Sequence, residues 1–106
     1  MDTPTDIECF FEKAKKRPWV IDIYIAIQAA MALGVKDVVD LNSLADDIMP
    51  RSDRMAKAGY SIEQEGLDAL CILFDCECIE RGDTDYHEYK FTRKSDGKTV
   101  VGTIKL

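Results

Sequence analysis

The chain has 106 residues, enough to close one hydrophobic core and too few for two, so it reads as a single domain over residues 1–106 with a polar arm at 1–6. Hydrophobic residues at 46% and charged residues at 32% exclude wholesale disorder. The formal net charge of -6 repels polyanions on average and attracts basic surfaces.

That charge is unevenly spread. Residues 1–80 hold 8 of the 14 Lys and Arg but 16 of the 20 Asp and Glu, which leaves 6 cations against 4 acids for residues 81–106. Four cysteines are too few for a disulfide framework and no secretory leader pattern precedes the first helix, so the reading is a cytoplasmic protein with reduced thiols.

In chain order, Asp6 is expected to cap a short helix that places Ile7, Phe10, Phe11 and Ala14 on one side. Lys13, Lys15, Lys16 and Arg17 crowd its end, where cations favour the negative pole of the helix dipole. Pro18 ends that helix and can open the next. Residues 19–33 carry two patterns. Ile21, Ile23, Ile25 and Ile27 alternate as in a strand, whereas Ile23, Ile27, Ala30 and Met31 fit a buried helix; the length and the alanine-rich end favour helix, with Gly34 as its left-handed stop. The run is interrupted by Asp22 and Gln28 and falls short of the roughly 20 apolar residues of a bilayer span, so no membrane partner is expected.

Residues 35–39 suit a short strand, and Asp40 or Asn42 then caps a helix through Met49 with Leu41, Leu44, Ala45 and Ile48 inward. Residues 51–60 can hold a short helix between Ser52 and Gly59. Ser61-Ile62-Glu63-Gln64 reads as a capping box. The helix it opens carries Leu67, Leu70, Cys71 and Phe74 as an apolar stripe, leaving Ser61, Glu65, Asp68, Ala69 and Ile72 on the opposite face. Cys78-Ile79-Glu80-Arg81, a polar turn over 82–85 and Tyr89-Lys90-Phe91 form a hairpin. Ser95-Asp96-Gly97-Lys98 is a second turn, returning residues 99–106 as a third strand with Val100, Ile104 and Leu106 on one face and Val101 on the other.

The order helix, helix, short strand, helix, helix, hairpin plus strand resembles the winged-helix superfamily over about residues 20–93. The resemblance implies an α+β, mostly helical fold: a winged helix-turn-helix with an extra N-terminal helix and a C-terminal β-hairpin plus third strand. A local stretch, Ala29-Ala30-Met31-Ala32-Leu33-Gly34-Val35 followed by Leu44-Ala45, looks like the N-terminal dimerisation region of small-molecule O-methyltransferases. It implies fold and pairing, not activity.

In DNA-binding members the helix before the hairpin enters the major groove. Here that helix offers no Arg, Lys or Asn on its outward face, and its acids would meet phosphates spaced about every 1.7 Å of duplex axis. The expected function is therefore non-enzymatic. A basic protein partner would contact Glu63, Glu65, Asp68 and Ile72, with the chain serving as a regulator or a virus-encoded inhibitor of nucleic-acid machinery. The alternative is a dimeric DNA-binding transcription regulator that uses Arg51, Arg54, Lys57, Lys90, Arg93 and Lys94 on duplex backbone or minor groove.

Homodimerisation through the N-terminal helices is expected from Phe10, Phe11, Trp19 and Tyr24. Cys71, Cys76, Cys78 and His87 lack the spacing of a zinc knuckle, so neither metal nor cofactor is expected. Asp46-Asp47 are adjacent on a helix and face different directions, so they form no acid-base pair.

Overall fold

The computed structural model describes residues 5–48, 64–81 and 86–105. Within them lie helices α1 (Asp6–Ala14), α2 (Pro18–Leu33), α3 (Leu41–Ile48) and α4 (Gln64–Leu73), and strands β1 (Val39–Asp40), β2 (Phe74–Arg81), β3 (Tyr86–Arg93) and β4 (Thr99–Lys105). The fold is α+β, and about half of the described residues are helical. The four strands form one mixed sheet in the order β1-β4-β3-β2, with β1 parallel to β4 and the other pairs antiparallel.

The helix–strand ambiguity of residues 19–33 resolves as helix. Val20, Ile23, Ala26, Ile27, Ala30 and Met31 are buried at three- and four-residue spacing, and Gly34 at φ 68° closes the helix. The first helix begins differently from expectation. Thr5, with extended backbone, is the cap, and its Oγ1 accepts from the Glu8 amide at 3.3 Å; Asp6 is already helical and sits as a first-turn acid. On α1 only Phe10 and Ala14 are buried, while Ile7 and Phe11 are 45% and 42% exposed: the four share one apolar arc of about 100°, and the helix turns the Phe10–Ala14 side of it to the core.

The short strand comes at Val39–Asp40, at the end of the stretch expected for it, and Asp40 also caps α3. Its Oδ1 accepts from the Asn42 amide at 3.1 Å and the Ser43 amide at 3.2 Å. In α3, Leu41 and Ala45 are buried and Leu44 packs against the core, but Ile48 is exposed at the last described position. The expected short helix over 51–60, the capping box at Ser61, the turn over 82–85 and Leu106 lie outside the described residues, as does the Trp19 side chain.

Helices cover one side of the sheet. Tyr89, Phe91, Val100, Gly102 and Ile104 point into the core, and Lys90, Thr92, Val101 and Thr103 alternate with them on the open side. An aromatic chain runs through this core from Phe11 to Phe10, Tyr24, Phe74, Phe91 and Tyr89, with ring centroids 4.9 to 6.2 Å apart. It ties α1 to the sheet through α2. Buried Asn42 accepts from the Lys105 amide at 2.9 Å and pins the end of β4 to α3.

Candidate interaction surfaces

α4 is held on two sides. Leu67 and Leu70 enter the core, and α1 runs antiparallel along the helix, with Arg17 beyond the end of α1 pairing with Glu65 in the first turn of α4. The consequence for the expected outward face is direct: Ala69 is fully buried and Ile72 is half-buried against the core, so only Gln64, Glu65 and Asp68 remain exposed. Gln64 Nε2 donates to Asp68 Oδ1 at 3.1 Å. Between α1 and α4 the surface carries both signs, with Lys13, Lys16 and Arg17 facing Glu12, Glu65 and Asp68. The acids of α4 thus stay accessible, but the basic end of α1 answers them. Glu63, Arg51, Arg54 and Lys57 lie outside the described residues.

The opposite end of the α1–α4 pair opens into a cleft of about 340 Å³. Ile7, Ile72, Leu73 and Phe74 give its apolar lining, and Tyr24, Gln28, Arg93 and Lys94 its polar lining. Arg93 is committed to internal partners. Its Nε donates to Asp96 Oδ1 at 2.9 Å, its Nη2 to Asp96 Oδ2 and its Nη1 to Gln28 Oε1, while Gln28 Nε2 donates to the Tyr24 hydroxyl at 3.1 Å. The guanidinium holds the Asp96 carboxyl down at about 2, and the carboxylate in turn raises the Arg93 pKa.

This cross-link shapes the second turn as the sequence predicts. The Gly97 amide reaches the Arg93 carbonyl at 2.8 Å with Gly97 at φ 75°, and Lys94 and Lys98 stay exposed on the turn. Arg93 is therefore a structural cation, and of the six residues expected to meet a duplex its neighbour Lys94 stays accessible. Lys90 is also exposed, on the open side of the sheet opposite Glu77.

The thiols divide. Cys76 Sγ donates to the Phe74 carbonyl at 3.7 Å, and its contact with Cys71 lowers the pKa of Cys71 while, together with burial, it pushes that of Cys76 up. Cys78 is exposed because the distal part of the hairpin leaves the core. His87 lies opposite Ile104, and among the described residues no three His, Cys, Asp or Glu converge to hold a metal ion. Nor is any described helix long and apolar enough to cross a membrane.

Sequence reasoning missed the open side of the sheet around β2. Asp75 and Glu77 alternate there, and after a bulge between Cys78 and Glu80 the register sets Glu80 directly opposite Glu88. The signal was present as period-two acids, but it becomes readable only once β2 starts at Phe74, immediately after α4, rather than near Cys78. No protein-family model matches the chain, and neither the curated proteins nor the solved structures contain a match to it.

Proposed function

We propose that the chain is a non-enzymatic winged-helix module that works by binding a protein with a basic surface. In this reading α2, α3 and α4 are the three helices of the domain, β2 and β3 its wing, and α1 the added N-terminal helix; β4 is an extra strand inserted between β1 and the hairpin. The observation that carries the reading is the exposed strip of α4, which presents Gln64, Glu65 and Asp68 and no cation. A duplex brought to that strip meets its carboxylates where counterion release requires Lys or Arg, and the cations beside them, Lys13, Lys16 and Arg17 at the end of α1, already face Glu12, Glu65 and Asp68. Acids on the surface that this fold commonly turns toward nucleic acid suit a regulator, or an inhibitor made by a virus, that competes with nucleic acid for a basic machine. Exposed Ile7 and Phe11 support pairing of two copies through α1.

The test is retention of a basic partner from nuclease-treated native extract, identified by mass. The Glu65→Lys/Asp68→Lys variant should lose that partner and Glu65→Gln/Asp68→Asn should weaken it. Retention untouched by both variants, or abolished by the nuclease itself, removes the assignment. The second reading, a DNA-binding regulator, is favoured by the exposed Lys94 and Lys98 on the turn after β3. It requires a duplex gripped from the sheet side while α4 stays off the groove.

A further inference from the structure

We infer that the open edge of β2 receives an extended basic segment of the partner as an added strand, with an arginine of that segment seated against Glu80 and Glu88. The inference rests on the protein-partner reading and adds to the α4 strip a second contact for the same partner, on the sheet. Its starting point is topology. β2 ends the order β1-β4-β3-β2, so one side of it pairs with β3 and the other meets no strand among the described residues. Eight residues at about 3.3 Å each make an edge of about 26 Å, long enough to template a whole partner strand.

Such edges are guarded by charge or by bulges. Here both are present, and up to its last residue, Arg81, the strand carries charge of one sign. Asp75, Glu77 and Glu80 are exposed, and no Lys or Arg occurs over residues 74–80. A second copy pairing antiparallel with this edge would bring the acids of both strands to one seam, which like-charge repulsion disfavours. A strand with Lys or Arg at alternate positions meets the opposite situation, because its outward cations fall beside these acids while its intervening side chains lie along Cys76, Cys78 and the half-exposed Ile79.

The sheet supplies a specific seat as well. Glu80 and Glu88 are cross-strand neighbours of like charge, and with Tyr86 and Thr103 they line a hollow of about 260 Å³ on the open side. Lys90 answers Glu77 from β3, but the residue opposite Glu80 is another carboxylate. A guanidinium placed there turns a repulsive pair into two charge-assisted hydrogen bonds and can lie against the Tyr86 ring.

The experiment uses the full chain and two capped octapeptides, alternating arginine with valine or glutamate with valine, read by fluorescence anisotropy at low and physiological salt. The arginine peptide should bind, the glutamate peptide should not, and alternate amides of β2 should gain exchange protection on binding. Glu80→Gln/Glu88→Gln should weaken the arginine peptide by about tenfold or more, since charge-assisted bonds are lost. An arginine peptide N-methylated at alternate residues keeps the charge and loses the strand hydrogen bonds, and should weaken similarly.

Equal affinity of the N-methylated peptide, or of the glutamine variant with unchanged circular dichroism, overturns the docking mode. If the arginine peptide instead depends on Glu65 and Asp68, the edge inference fails and the protein-partner reading stands. If duplex DNA binds and neither peptide does, that reading falls with it.

Discussion

Replacing Gly102 by alanine tests whether α3 and β4 meet as described. A Cβ at position 102 would lie 2.7 Å from both Cγ and Cδ1 of Leu41 and 3.0 Å from the Val39 carbonyl oxygen. Leu41 is fully buried, so it cannot swing into solvent, and Val39 is fixed by its parallel pairing with Gly102 itself. Overpacking of this kind costs about 1–3 kcal/mol. It opposes an intrinsic gain of about 0.5–1 kcal/mol from replacing glycine in a strand. The expected net loss is therefore about 1–2 kcal/mol, which for a domain of this size lowers Tm by several degrees, about 4–8 °C per kcal/mol.

Urea denaturation of wild type, Gly102→Ala, Leu41→Ala and the double variant forms a closed cycle. Leu41→Ala alone should cost about 2–5 kcal/mol through its cavity. The double variant should cost less than the sum, because the new methyl occupies space the leucine vacated. Stabilisation by Gly102→Ala, or strict additivity of the two changes, would refute the close approach.

Two further expectations concern polar groups. Asn42→Ala leaves the Lys105 amide without its acceptor at the end of β4 and should cost about 1–3 kcal/mol, with faster exchange of that amide; an unchanged exchange rate contradicts the pin. Asp96 should titrate near pH 2 in the folded protein and return to the ordinary carboxylate range in Arg93→Ala, as followed by carboxyl NMR shifts. Because the folded-state pKa is depressed, the stability from this pair is complete above the unfolded-state value of about 4 and is lost as pH falls through about 2. Asp96→Asn should remove that part of the acid dependence, and a native Asp96 titrating near pH 4 would contradict the cross-link.

Much of the architecture was legible locally. The Pro18 start and Gly34 stop of α2 and the turn at Gly97 depend on backbone chemistry within a few residues and lie where residue type alone placed them, and the cap of α3 falls on Asp40, one of the two residues that type allowed. Periodicity erred where a second element decides the outcome. Ala69 reads as outward from the Leu67-Leu70 stripe alone, but α1 packs along α4 and buries it. Ile7 and Phe11 read as core from their hydrophobicity, yet the space beneath α1 is filled by Phe10 and Ala14.

The candidate surfaces were less legible than the fold because charge in sequence carries no partner. Arg93 looked like a wing cation until the turn brought Asp96 under it, and Glu65 looked unopposed until Arg17 came to it across 48 residues of sequence. Glu80 and Glu88 face each other only because a bulge shifts the register by one residue.

The sign of the working surface is tested most directly by titrating labelled duplex DNA against the protein at low and at physiological salt. An acidic α4 strip predicts no saturable binding at physiological salt and at most weak association at low salt. Tight binding with a steep salt dependence, lost in Lys94→Ala/Lys98→Ala with the fold intact, would contradict the account and make the sheet-side lysines a nucleic-acid grip.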